Sequence, residues 1–208
     1  MHDFSGIEWA TEVIEHIGSL KLRDNADLIH DAYEQAWFRN RGMEICWGAT
    51  KICVVPYTGK WTLKMARSFY CNEYCEKECD FYEDAVNAGL DNFFAPTYFL
   101  GKFYGYNAYL QMKVEVNQSE VDSRMARFAS SRVETEKDED PDEIEEKILD
   151  YVDSFDTEEQ IYGALVDSDI DEVERLVQFC EDRNINDLHN ENWGFLGKDL
   201  VLIDFSGY

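Results

Sequence analysis

MEICWGATKICVVPYTGKWTLKMAR, residues 43–67, reads as three strands and two turns. Its Ile, Val, Cys and aromatic residues suit a pleated, half-buried surface. Gly48 marks the first turn, and YTGK, residues 57–60, marks the second. The third run, WTLKMAR, sets Lys64 between Leu63 and Met65. A lysine inside an apolar strand needs a counter-charge, because an unpaired buried ammonium is costly.

Toward the C-terminus the pattern turns helical. YCNEYCEKECDFYEDAVNAG, residues 70–89, has apolar or small residues at Cys71, Cys75, Cys79, Tyr82, Ala85 and Val86, with Gly89 as a natural C-cap. FFAPTYFLG and YNAYLQMKVEV read as two more strands, joined by a short turn near residues 102–106. Five strands with one helix between the third and fourth place the chain in the α+β class. Toward the N-terminus, residues 4–40 read as helical, with Ile7, Trp9, Ala10, Val13, Ile14 and Ile17 at helical spacing. Asp24 or Asn25 is expected to cap a second helix through Phe38.

Beyond Asn117 the texture changes. Residues 120–133 are mildly helical, and ETEKDEDPDEIEE, residues 134–146, holds nine acids and a proline. It reads as a solvated loop. Helices are expected over about 142–153 and 157–166, and from an Asp169 cap onward. The polar run DLHNENWGF, residues 187–195, the turn LGKD and the strand LVLID follow. The expected organisation is an N-terminal helical segment 1–42, a strand-rich lobe 43–117 and a helical lobe 118–208 that carries the acidic loop.

The 208 residues are 45 % hydrophobic, enough for a packed core. With 44 acids against 19 bases the formal net charge is -25, which repels nucleic acid and anionic membrane surfaces. The charge fits either a solvated surface or one that engages a basic protein. The N-terminal stretch has no basic start and no apolar core of a leader peptide, and no run approaches the ~18 apolar residues of a membrane span. A cytoplasmic location is expected, with the six cysteines reduced. Cys71, Cys75 and Cys79 fall on one helical stripe. A buried helix face explains them better than a soft-metal site, since zinc sites favour closer pairs and no fourth ligand is evident nearby.

The chemistry-bearing residues occur in a fixed order. Lys64 lies in the third strand, and Glu78 on the following helix is the expected partner, with Glu73 and Glu76 as rivals. Asp187 and Asn192 are spaced Asp-x-x-x-x-Asn, and Asp204 follows a strand in I-D-F. Together these resemble the protein-kinase-like fold, in particular the small abbreviated kinases of lytic phages and the aminoglycoside-phosphotransferase-like kinases. The resemblance covers about residues 43–208. It implies a five-stranded antiparallel N-lobe sheet and a reduced helical C-lobe. It also implies ATP and Mg²⁺ as cofactors, with Lys64 on the phosphates, Glu78 pairing that lysine, Asp187 orienting the attacking hydroxyl, and Asn192 and Asp204 holding the metal. The adenine contact would fall on backbone near Met112.

The sequence departs from the family in two places. There is no G-x-G-x-x-G. Gly48 alone stands where a phosphate-covering hairpin bends, and Lys51 is placed to supply positive charge there. The sequence also runs only four residues past Asp204, so the later elements of a protein kinase have no counterpart in it. The resemblance implies transfer of the ATP γ-phosphoryl to a hydroxyl, on a host protein if the chain is phage-encoded, in the host cytoplasm. The alternative is an acidic inhibitor or nucleic-acid mimic on a kinase-like scaffold that blocks a basic host protein. Either reading expects a protein partner with a basic surface, with no direct nucleic acid and no membrane.

Overall fold

The computed structural model describes residues 8–21, 32–135, 140–186 and 188–206. Its architecture is α+β, with a five-stranded antiparallel sheet and a two-stranded hairpin. Contacts divide the chain into two compact units. Met1–Tyr82 with Pro96–Lys113 form the first, and Glu83–Ala95 with Val114–Tyr208 form the second.

The first unit holds α1 (Glu8–Lys21), α2 (Ala32–Arg39) and the strands β1 (Met43–Trp47), β2 (Lys51–Pro56), β3 (Trp61–Ala66), β4 (Thr97–Phe103) and β5 (Tyr106–Met112). The strand order is β1-β2-β3-β5-β4. Pairing of Leu63 with Val54 and Leu110, and of Met65 with Ile52 and Ala108, lines one face with apolar side chains. Ala10, Val13, Ile14 and Ile17 of α1 and Phe38 of α2 join these residues in one buried cluster. The N-terminal helices are therefore the cover of the sheet. His16 stacks on Trp37 at 3.8 Å, and Arg41 pairs with Glu12 at 2.9 Å while lying 3.9 Å above the Trp37 ring.

The opposite face carries Lys51, Lys64, Tyr109, Gln111 and Thr97, as the registers Lys51↔Ala66, Lys64↔Tyr109 and Thr97↔Gln111 require. The helix α3 (Asn72–Ala88) follows β3, and in the first unit it lays Cys75 and Cys79 against Ala66 and Tyr109. Gly89 ends it at φ +67 with Leu90 donating to the Ala85 carbonyl at 2.8 Å, the glycine C-cap that the sequence indicates.

The second unit contains α4 (Gln118–Ser130), α5 (Pro141–Asp153), α6 (Thr157–Ala164), α7 (Ile170–Asp182), and the hairpin β6 (Trp193–Leu196)–β7 (Asp199–Leu202). Asp156 and Glu159 form a capping box on α6. The Asp169 carboxylate accepts from the backbone N–H groups of Asp171 and Glu172 at the start of α7, as its position suggests. Phe94 packs edge-on against Phe179 and Phe205 in this unit's core.

Two expectations require correction. The acidic run 134–146 is not a loop throughout, because α5 begins at Pro141 with Asp140 as N-cap, accepting from the Asp142 N–H at 2.9 Å. Acids in the first turn favour a helix start, and proline fits its first position. The sequence also reads WGF as the end of the polar run and Leu196 as the start of a turn, whereas Trp193–Leu196 is strand β6, paired from Trp193↔Leu202 to Leu196↔Asp199. The expected caps Asp24 and Asn25 lie outside the described residues. Among the described residues no helix is long and apolar enough to cross a membrane.

Candidate functional site

In the first unit the buried charges converge on Glu78. Its carboxylate is fully buried and accepts from Lys64 Nζ at 3.1 Å, from Gln111 Nε2 at 3.0 Å and from Lys51 Nζ. Lys51 and Lys64 are themselves buried. Gln111 also donates to Thr97 Oγ1 at 3.2 Å, so β4 steadies the amide of β5 that shares Glu78 Oε1 with Lys64. Two ammonium groups and one amide on a single carboxylate fix its rotamer, which is what a buried ion cluster requires to offset desolvation. Of the two rival acids, Glu73 is exposed and Glu76 accepts instead from Asn107 Nδ2 at 2.8 Å.

Cys75 lies beside this cluster. Burial pushes its thiol up to about 12, the Glu78 carboxylate adds to that rise, and Lys51 and Lys64 oppose it. A thiol held neutral is a poor nucleophile, and Cys75 packs here with Ala66, Cys79 and Tyr109. Among the described residues no group of three or more His, Cys, Asp or Glu is placed to hold a metal ion.

In the second unit the hairpin β6–β7 positions the other residues. Ile203 N–H donates to the Asn192 carbonyl at 2.9 Å, which sets Asn192 opposite the residue before Asp204. Asp204 is half-buried, two residues past the end of β7, between Ile203 and the buried Phe205 in sequence. The Ser206 hydroxyl lies 3.5 Å from Asp204 Oδ1. Asn192 is buried, and Trp193 beside it donates its indole N–H to the Leu188 carbonyl at 2.9 Å. Gly194 is required by close approach, since a Cβ there would sit 2.4 Å from Val114 Cγ2.

Compared with family models, with curated proteins and with solved structures, the chain matches none.

The structure thus joins Lys64, Glu78 and Lys51 in one cluster, and Asn192 with the Asp204 segment in another. Asp187 lies outside the described residues. Its neighbours act as cap and turn residues. His189 Nδ1 accepts from the Glu191 N–H at 3.2 Å, and Asn190 Nδ2 donates to Asp122 Oδ1 at 2.6 Å. Gly48 sits in the β1–β2 turn, donating to the Lys51 carbonyl at 2.9 Å, and a Cβ on it would meet nothing within 4 Å. No close backbone approach calls for glycine there. Near the expected adenine contact, the N–H of Met112 donates to Pro96 at 2.7 Å, that of Lys113 to Lys60 at 2.8 Å and that of Glu115 to Phe195 at 2.9 Å.

Sequence reasoning missed Gln111. The signal was present in YNAYLQM, where Asn107, Tyr109 and Gln111 alternate with the apolar Ala108 and Leu110 and therefore share the face of Lys64.

Proposed function

We propose that the chain is a Mg²⁺-dependent, kinase-like phosphotransferase that moves the ATP γ-phosphoryl to a hydroxyl on a protein. The observation that carries this reading is the Lys64–Glu78 pair: a lysine of the third strand held by a glutamate of the helix that follows, at 3.1 Å and out of water. The same lysine–glutamate pair orders the phosphate-binding lysine in protein kinases. Lys51 is a second cation on the same carboxylate, and it supplies positive charge where the sequence lacks a glycine-rich loop.

Asn192 and Asp204 offer an amide and a carboxylate oxygen, the hard donors that suit Mg²⁺. Mg²⁺ keeps several waters and is commonly held by one or two protein ligands plus phosphate oxygens, so a cage of three or more protein ligands is not needed. When bound, the ion neutralises charge on the phosphates. In this reading Asp187 orients the acceptor hydroxyl and Lys64 steadies the phosphate oxygens.

A second reading is favoured by the charge of -25. It is an acidic protein that occupies and blocks a basic host protein, with Asp187 and Asp204 dispensable.

Incubation with γ-labelled ATP and Mg²⁺, with and without candidate protein acceptors, tests the first reading. Label transfer that is lost in Lys64→Ala and in Asp204→Asn supports it. If no label moves and calorimetry detects no ATP binding, the lysine–glutamate cluster is scaffold and the second reading stands.

A further inference from the structure

A groove of about 330 Å³ opens on the second unit where α4, α6 and α7 meet. Phe128, Leu165 and Val173 form its buried floor. Two apolar residues at its mouth remain in water: Val166 is 36 % exposed and Ile170 is 56 % exposed. Neither is needed to cap or start a helix, since Asp169 already caps α7. Concave apolar sites of this size take a side chain or a small ligand, and exposed apolar residues around a concavity mark an interaction surface.

The charge at the mouth selects the guest. Glu158 and Glu174 line it, and both are exposed. Arg132 is the cation there, placed 5.0 Å over the Phe128 ring. The Tyr162 ring, stacked on Phe128 at 6.2 Å, reports the balance. Removal from water raises its hydroxyl above the ordinary 10.0, and the carboxylates of Glu158 and Glu174 raise it further, while Arg132 opposes them. The described strip 140–159, which runs through α5 into α6, adds to this field, because it carries ten acids and one base. Such a field draws cationic partners at long range and repels anionic ones.

We infer that this groove docks a basic segment of a partner protein, one that buries an apolar side chain between Val166 and Ile170 at the mouth, over Phe128, Leu165 and Val173, while neighbouring lysines or arginines meet Glu158 and Glu174. The inference goes beyond the phosphotransferase reading and needs neither ATP nor Lys64. It gives the chain an attachment point for a basic protein whether that protein is a phosphoryl acceptor or a target to be blocked.

Fluorescence anisotropy on the full chain, without nucleotide, tests it. The probe is a short labelled peptide of lysines and arginines with one central leucine. The control is the same peptide with serine at that position. The leucine peptide is expected to bind about tenfold more tightly than the serine peptide, since burying one leucine is worth about that factor or more. The double variant Val166→Ser/Ile170→Ser is expected to erase that difference and leave the serine peptide unchanged. Glu158→Gln/Glu174→Gln is expected to weaken both peptides and flatten the salt dependence. The inference is overturned if the two peptides bind alike to the wild-type chain, if neither binds, or if Val166→Ser/Ile170→Ser keeps the leucine preference. Should a variant melt below the wild type, the comparison of the two peptides on the wild-type chain decides alone. Repeating that comparison with Lys64→Ala separates this result from any failure of nucleotide binding.

Discussion

One face of the five-stranded sheet buries Ile52, Val54, Leu63, Met65 and Leu110 under α1 and α2; the other buries Lys51 and Lys64 against Glu78 of α3. The strands are shared, and alternate residues of β3 serve opposite faces. On the apolar face, stability comes from area removed from water and from close packing, and any side chain of the right volume serves. On the polar face it depends on each charge keeping its partner, because burial has already removed water as the alternative. The apolar face is therefore tolerant and replaceable, whereas the ion cluster is specific.

The largest expected effects test that contrast. Glu78→Ala leaves two buried ammonium groups without their carboxylate and is expected to cost about 3–5 kcal/mol. Leu63→Ala, one residue before Lys64 on the opposite face, is expected to cost a similar 2–5 kcal/mol, roughly, through a cavity. The two diverge on repair. Adding Lys51→Met and Lys64→Met to a Glu78→Leu chain is expected to return stability to about the wild-type value, since buried ion clusters exchange for apolar ones with little loss. Urea unfolding midpoints would show it. If Glu78→Ala unfolds at the wild-type midpoint, the cluster does not hold the sheet and the contrast between the faces fails.

How much of this was legible depends on the range of the signal. Lys64 and Glu78 were readable because an ammonium inside an apolar strand demands a partner and one stripe of the next helix offers one. Lys51 was read as a supplier of positive charge at the phosphate-covering hairpin, not as a partner of Glu78. Its place on Glu78 follows from the register Lys51↔Ala66, which turns it to the face of Lys64, and register is a property of pairing that one strand does not reveal. The strand β6 was lost for a related reason. Trp193 and Phe195 are fixed by distant partners, the Leu188 carbonyl and the backbone of Glu115. Helices α1 and α2 were visible as helices, but their role as cover emerges only once the apolar face they meet is built. The helix expected over about 142–153 was legible to within a residue, because its start is local: Asp140 is a cap and Pro141 a helix-starting proline.

Cys75 sharpens the comparison at intermediate size. Its thiol belongs to the polar face, is completely buried and is pushed up to about 12 by burial first and by Glu78 second. In the unfolded chain it ionises near the ordinary 9.0. The stability it contributes is therefore full below that value and is lost as the pH rises toward about 12, at up to ~1.4 kcal/mol per pH unit. Urea midpoints at neutral and alkaline pH would show a decline that Cys75→Ala lessens. Cys180, pushed up to about 12 by burial in the second unit, is the matched control, and Cys180→Ala should remove a similar share. An alkaline decline that neither variant changes would mean that these thiols titrate as they do in water.

The smallest expected effect concerns an ion pair left in solvent. Arg127 Nη1 and Nη2 donate to the two Asp167 oxygens at 3.1 and 2.7 Å, a bidentate pair as well formed as any at Glu78. Its side chains, however, are 53 % and 50 % exposed. The hydrogen bond from Arg127 holds the Asp167 carboxyl below its ordinary 3.8. A depressed carboxyl stabilises the fold above its unfolded value and loses that contribution as the pH falls through the folded one, so the contribution is present at neutral pH and its loss belongs to the acid side of about pH 4. Water and salt compete for both partners at all times, so Asp167→Asn should lower the melting temperature by about two degrees or less at neutral pH, and by less still in high salt. Glu78→Ala should show no such salt dependence. If Asp167→Asn proved as damaging as Glu78→Ala, burial would not be what separates the two pairs, and the polar face would owe its sensitivity to geometry alone.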